Sequence, residues 1–317
     1  MMDDPGQVAD AVLDGNPRAA ARLISWAEDR DDRAWRALER IHPETGSAEI
    51  QGVTGPPGSG KSTLVDKLVD SYREDEATVG VIAVDPSSPF TGGAVLADRI
   101  RMSRRSTDPD VFVRSMGSRG KLGGLAPAIH DAVRILDAMG KDVVVIETMG
   151  VGQGEVDIVR TADTVALVAV PGLGDDIQTI KAGIMEIADV FAVNKADLDG
   201  VQQTVAELES HLRLAFEDAD DDAWRPPIVE TIAKNGDGVD ELVAAYEGHR
   251  EHLETTGELD ERRRERAEHE IVSLMKERVT ERVLGSEEGT RRFEGFVEDV
   301  MGRKLTPRSA AGELLER

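Results

Sequence analysis

The sequence predicts an α/β chain: a doubly wound, mostly parallel sheet with a helical extension at each end. Three observations carry that prediction. Seven short apolar runs, at 49–54, 78–84, 110–114, 142–147, 164–170, 188–193 and 227–230, are separated mostly by stretches long enough for crossover helices. The first run opens onto Gly55-Pro56-Pro57-Gly58-Ser59-Gly60-Lys61-Ser62, a full G-x-x-x-x-G-K-[ST] phosphate-loop pattern, and Ser62 to Tyr72 then has helical periodicity. Residues 1–47 and 251–317 show helical spacing without strand patterns, which divides the chain into an N-terminal helical extension, a nucleotide-binding domain at 48–250 and a C-terminal helical arm.

The first extension carries Val8, Ala11 and Val12, then Ala20, Leu23, Ile24 and Ala27, then Trp35, Leu38 and Ile41, all at helical intervals. Asn16-Pro17 marks a boundary between two of these helices, with Asn as cap and Pro at the first helical position. No chemistry-bearing pattern occurs here.

The phosphate loop explains its own residue types. Gly55, Gly58 and Gly60, with Ser59 between them, let successive backbone N–H groups close around phosphate oxygens, and the following helix adds its positive end. Lys61 brings a point charge to the β- and γ-phosphates, Ser62 offers a hydroxyl to Mg²⁺, and Thr63 continues the binding segment. In a doubly wound sheet ligands lie beyond the carboxyl ends of the strands, so the residues that follow each strand are the next candidates.

Asp85 ends the second strand and leads into Pro86-Ser87-Ser88-Pro89-Phe90-Thr91-Gly92-Gly93; Asp98 is a second acid within reach, or an ordinary helix-surface charge. After the third strand, Arg114 to Gly124 is basic and glycine-rich; its cations suit phosphates, or simply balance charge. The fourth strand, Val143-Val144-Val145-Ile146, ends in Glu147, the arrangement in which a carboxylate holds Mg²⁺ directly or through water. In the glycine-rich continuation, Gly150 is the candidate backbone N–H for the γ-phosphate. Gln153 either orients the attacking water or is a solvated loop residue.

The sixth strand leads into Asn194-Lys195-Ala196-Asp197, an N-K-x-D pattern. Asp197 accepts from the N1–H and exocyclic amine of guanine, Asn194 serves the O6/N7 edge, and the Lys195 stem covers the base. Adenine would leave Asp197 unpaired, so GTP and GDP are the expected nucleotides. Ala233, just after the last strand, is the candidate for a second backbone contact to the base. In the C-terminal arm, Ile271, Leu274, Met275, Val279, Val283 and Leu284, then Phe293, Phe296, Val297, Val300 and Met301, form an apolar stripe. Such a stripe needs a cover, and a homodimer through this region is expected.

Composition limits the partners. The 317 residues contain no cysteine, which excludes a disulfide framework, a thiolate zinc site and a cysteine nucleophile. The start, Met1-Met2-Asp3-Asp4, is acidic, and no apolar run suffices to span a bilayer, so a cytoplasmic protein without a membrane partner is expected. Sixty-two acidic against 38 basic residues give a net charge of −24, which disfavours nucleic acid. The acid recurs along the chain, as in Glu28-Asp29-Arg30-Asp31-Asp32 and Glu217-Asp218-Ala219-Asp220-Asp221-Asp222, on stretches that read as solvated faces rather than one docking surface. Spread acid with Arg chosen over Lys reads as adaptation to multimolar salt, where self-repulsion is screened. Unfolding followed across KCl concentrations should therefore show much lower stability at low salt; equal stability would refute the adaptation.

The whole set resembles the MeaB/ArgK/MMAA family of GTPases, relatives of the nickel-insertion GTPases of hydrogenase and urease maturation. The resembling residues are Gly55 to Ser62, Asp85 to Gly93, Ser118-Arg119-Gly120 with Gly123-Gly124, Glu147-Thr148-Met149-Gly150-Val151-Gly152-Gln153, Pro171 to Gln178, Lys181 to Glu186 and Asn194 to Asp197. Met149 stands where Val is usual, and Gly154 where Ser usually follows the Gln. The resemblance implies a GTPase that binds a cobalamin-dependent acyl-CoA mutase, usually methylmalonyl-CoA mutase, gates its cofactor loading and protects it. It also implies a Mg²⁺ shell of Ser62, Asp85, Asp98 and Glu147, and a further switch at 171–186 that contains Lys181, a third catalytic candidate beside Lys61 and Gln153. Two alternatives stand beside it. A nickel-insertion role would need Cys and His ligands, which the absence of Cys and six scattered His residues do not supply. A kinase linked to amino-acid transport would need ATP, against which Asn194 to Asp197 argues.

Overall fold

The structure, a computed structural model, describes residues 3–85, 108–117, 127–148, 158, 160–172, 188–217, 219–220 and 222–315. The chain forms two compact units, Met1–Arg263 and Arg264–Arg317.

The first unit is built on seven strands: β1 (Glu49–Thr54), β2 (Val79–Asp85), β3 (Val111–Gly117), β4 (Val143–Thr148), β5 (Thr164–Ala169), β6 (Val190–Asn194) and β7 (Ile228–Thr231). They lie in the order β3-β2-β4-β1-β5-β6-β7, and every pairing is parallel. The expected α/β fold with a largely parallel sheet is thus correct. β1, β4, β5 and β6 are buried along their whole length; Val143 to Ile146 of β4, Val165 to Ala169 of β5 and Val190 to Val193 of β6 accordingly read as apolar runs, whereas β1 also buries Glu49 and Gln51. β3 runs past the expected end at 114, because the ladder to β2 continues from Val79 opposite Val111 to Asp85 opposite Gly117 and carries the polar Arg114 and Ser115 with it.

Because the sheet is parallel, one end collects the carboxyl termini of all seven strands. β1 sits at the point where the chain stops adding strands on one side (β2, β3, β4) and begins on the other (β5, β6, β7), the place where a ligand crevice opens. The phosphate loop leaves β1 there, followed by α4 (Lys61–Glu74).

One face of the sheet is covered by α1 (Pro5–Leu13), α2 (Pro17–Glu28), α3 (Asp32–Ile41) and α5 (Pro127–Ala138), whose Val8, Leu23, Ile24, Ile41, Ile129 and Leu136 share a core with Ile82, Val144 and Ile146. Asn16 caps α2 as its sequence position suggests, its Oδ1 accepting from the N–H groups of Arg18 at 2.9 Å and Ala19 at 3.2 Å. The opposite face is covered by α4 and α7 (Val239–Thr256), where Leu64, Leu68, Leu242 and Tyr246 pack on Val53, Val145 and Val168. Helix α6 (Val201–Ala215) places Leu208 against Phe191 and Val193 near the β7 edge.

The amino ends of β5 and β6 hold a buried polar cluster. Asp189 accepts from Val165 N at 2.8 Å and from the Arg262 guanidinium at 2.9 Å. His249 of α7 is fully buried, with Nδ1 2.8 Å from Thr164 Oγ1 and Nε2 3.3 Å from Asp189 Oδ1, and its ring packs on Trp224. Burial, opposed in part by the Asp189 carboxylate, pulls its pKa down from 6.5 to about 4. The native imidazole is therefore neutral where an unfolded one is already charged. Stability from this group is complete above pH 6.5 and falls as the pH drops toward 4, by about 3 kcal/mol at most. Urea unfolding of wild type and His249→Gln at pH 7 and pH 4.5 should show a smaller acid loss in the variant; equal losses would remove His249 from that role.

The second unit comprises the rest of α8 (Glu258–Leu284), α9 (Glu287–Met301) and α10 (Pro307–Leu315). Ser286 caps α9 through Gly289 N at 3.0 Å. Its long helices leave apolar side chains in solvent: Ile271, Val272, Met275 and Val279 on α8, and Phe293, Val297 and Met301 on α9. No helix among the described residues is long and apolar enough to cross a membrane.

Candidate nucleotide site

The loop between β1 and α4 is shaped by two positions that admit only glycine. Gly55 has φ +142°, and a Cβ there would lie 2.3 Å from the Val168 carbonyl oxygen of β5. Gly60 has φ +94°, and a Cβ there would lie 2.4 Å from Asn194 Nδ2. The chain therefore passes against β5 at its start and against the end of β6 at its finish, and only a missing side chain permits both.

Lys61 is the first residue of α4 and is buried. Its Nζ donates to the Gly55 carbonyl at 2.7 Å and the Pro56 carbonyl at 2.9 Å, so its charge arches over the loop. Ser62, next on the helix, donates its hydroxyl to Glu147 Oε1 at 2.6 Å, and Glu147, at the end of β4, is buried. Thr63 is exposed. The pairing of Ser62 with Glu147 joins two residues 85 positions apart that the sequence assigns to the same ion. A hydroxyl and a carboxylate in contact form a hard oxygen pair of the kind that suits Mg²⁺. The backbone of Asp85 is placed at the end of β2, at the carboxyl end of the sheet. Asp98 lies outside the described residues, as do Gly150, Gln153 and Lys181.

The N-K-x-D segment emerges from β6 beside the phosphate loop. Asn194 is 2% exposed and acts as a brace between three segments. Its Nδ2 donates to the Ser59 carbonyl at 2.7 Å, while its Oδ1 accepts from Ala233 N at 3.0 Å and from Thr231 Oγ1 at 3.3 Å. The Ala233 N–H, expected to face the base, is thus donated to Asn194 in this structure. Lys195 adopts φ +60° and donates Nζ to the Gly58 carbonyl at 2.8 Å, laying its stem along the loop. Asp197 is exposed on the loop that follows, its carboxylate open to a base.

Three threonines in this region receive no role from the sequence patterns. Thr231 braces Asn194, its register partner across β6 and β7. Thr54 and Thr148, the residues flanking the phosphate loop and the Glu147 position, face each other across β1 and β4. A hydroxyl at the residue before Gly55 and another after Glu147 was the only available signal.

Comparison with known proteins places the chain in a family. The family described as Methylmalonyl Co-A mutase-associated GTPase MeaB matches residues 20–288. A protein of Pyrococcus horikoshii named as a GTPase is 51% identical over 311 residues, covering 98% of this chain and 97% of the relative. The mouse protein named methylmalonic aciduria type A homolog, mitochondrial, is 31% identical over 268 residues, covering 84% of this chain and 64% of its own length. The crystal structure of a protein named LAO/AO transport system kinase superposes with a TM-score of 0.74 at 26% identity, covering all of this chain and 98% of that one. With its phosphate loop closed by Lys61, its acid-tipped fourth strand and this match over most of its length, the chain is a GTP hydrolase of the P-loop fold and belongs to the MeaB family.

Proposed function

We propose that this GTPase is the chaperone of a cobalamin-dependent acyl-CoA mutase, methylmalonyl-CoA mutase in the first instance, gating cofactor loading and protecting the mutase. The single observation that carries this reading is the family match across residues 20–288, whose description names mutase association. The loops that would report nucleotide state to such a partner leave the same end of the sheet as the phosphate loop.

In this reading the β- and γ-phosphates rest on the N–H groups of Gly58 to Ser62, with Lys61 supplying charge to their oxygens. Guanine is read by Asp197 and covered by the Lys195 stem, while Asn194, which already accepts the Ala233 N–H, holds the phosphate loop beside the base. Ser62, Asp85, Asp98 and Glu147 would hold Mg²⁺, which when bound neutralises charge on the phosphate oxygens. Gly150 donates its N–H to the γ-phosphate, Gln153 orients the attacking water, and Lys181 belongs to a second segment that couples nucleotide state to the partner. Positioning and charge stabilisation do most of the chemistry, so intrinsic turnover is slow. The exposed apolar side chains of α8 and α9 join two copies as a homodimer in the cytoplasm, in high salt.

GTP hydrolysis measured in high KCl with Mg²⁺, with and without the mutase of the same cell and with ATP as control, tests the reading. A GTP-specific rate raised by the mutase supports it; no response to the mutase would overturn the client assignment. The likeness to a protein named as a transport system kinase favours a second reading, a kinase linked to amino-acid transport, and turnover of ATP in preference to GTP would select it.

A further inference from the structure

The phosphate loop leaves β1 and the segment after Glu147 leaves β4 at adjacent points of the sheet. The β1–β4 register ends at Val53 opposite Glu147. One residue on, each strand keeps the pairing it already has on its other side: Thr54 stands opposite Leu167 of β5, and Thr148 opposite Val84 of β2. At that level side chains replace the backbone ladder between β1 and β4. Thr54 Oγ1 and Thr148 Oγ1 lie 2.8 Å apart, and the two residues are 1% and 3% exposed. Side chains alternate along β4, so this contact lies on the face of the sheet opposite the Glu147 carboxylate, which meets the Ser62 hydroxyl at 2.6 Å. It is one residue before the first glycine of the loop and one residue after the acid, at the two points where those segments leave the sheet.

We infer that the Thr54–Thr148 hydroxyl pair is a positioning contact for GTP hydrolysis, fixing the gap between the ends of β1 and β4 so that Glu147 stays aimed at Ser62. This inference rests on the assignment of Ser62 and Glu147 as Mg²⁺ ligands. The physical reason for hydroxyls lies in their geometry. The ladder between β1 and β4 ends at Val53 and Glu147 while each strand stays paired on its outer side, and a short directional contact between buried side chains restores one tie between the two at that level. Apolar side chains of the same shape would fill the space without setting the distance. Groups that orient metal ligands in this way act on metal affinity and turnover without touching the substrate.

The test separates positioning from mere stability. Removing one hydroxyl leaves the other buried without its partner, whereas replacing both by valine removes both polar groups together and spares the fold that penalty. In the double variant Thr54→Val/Thr148→Val, the melting temperature should stay near wild type. The Mg²⁺ concentration that half-maximally slows release of fluorescent GDP should rise about 10-fold or more, and kcat should fall by a similar factor at nearly unchanged KM. Thr148→Ser, which keeps the hydroxyl, should behave as wild type. If the double valine variant does not fold, Thr148→Ala against Thr148→Ser carries the same comparison, with loss of Mg²⁺ response expected in the alanine alone. Wild-type Mg²⁺ response and kcat in the valine or alanine variant would overturn the inference, as would equal impairment in the serine variant. GDP release from wild type that ignores Mg²⁺ would instead overturn the ligand assignment, and the inference with it.

Discussion

Lys61→Ala should lose GTP hydrolysis by about a thousand-fold or more while the protein remains folded. The size of the effect follows from where the charge sits. Lys61 is 5% exposed, and its ammonium group lies between the Gly55 and Pro56 carbonyls, at the mouth of a loop whose other donors are neutral N–H groups. In such a setting a single cation aimed at the transferring phosphoryl group is worth far more than the same charge in water. Alanine removes the charge and the two loop contacts together, so nucleotide affinity falls as well. Two assays separate the losses: single-turnover hydrolysis at saturating GTP reads the chemistry, and fluorescent-GDP titration reads binding. A variant that hydrolyses GTP at the wild-type rate under saturation would refute the catalytic assignment of Lys61.

The second large effect is expected at Asp197. Its carboxylate is exposed and follows Asn194 and Lys195, both of which are engaged with the phosphate loop. Asp197→Asn keeps the shape but exchanges one acceptor oxygen for a donor that opposes the guanine amine. Loss of two charge-assisted hydrogen bonds should weaken GTP about 10- to 100-fold. Xanthosine triphosphate carries a carbonyl in place of that amine and should bind the variant better than GTP does, reversing the wild-type preference. Competition of GTP, xanthosine triphosphate and ATP against fluorescent GDP reads this directly. Unchanged ranking in the variant would mean that the base is read elsewhere.

The inner strands were legible because a parallel strand buried on both faces leaves a strong trace, as in Val143-Val144-Val145-Ile146. The phosphate loop was legible because its requirements are local: glycine where the backbone turns left-handed, lysine and serine where the helix begins. The end of β3 was not, since Arg114 and Ser115 are held in a strand by the ladder to β2 rather than by their own propensity. Long-range pairings were equally silent. Asn194 meets Ser59 across 135 positions and Thr54 meets Thr148 across 94, and no periodicity encodes such meetings. The same holds for His249, whose spacing on α7 is that of any core residue until Asp189 and Thr164 are folded against it.

The phosphate loop has one more property, visible when its oxygens are followed instead of its nitrogens. The carbonyls of Gly55 and Pro56 accept from Lys61, that of Gly58 from Lys195, and that of Ser59 from Asn194. Each carbonyl so held fixes the peptide plane to which it belongs, and a flipped plane would turn an oxygen toward an incoming anion while abandoning its own donor. The two lysines and the asparagine therefore work as outward anchors that prevent inversion of the concave surface. Recognition of a phosphate by neutral amides then requires little reorganisation on arrival, and a segment remote in sequence, the one that reads the base, helps decide whether that concave surface exists at all.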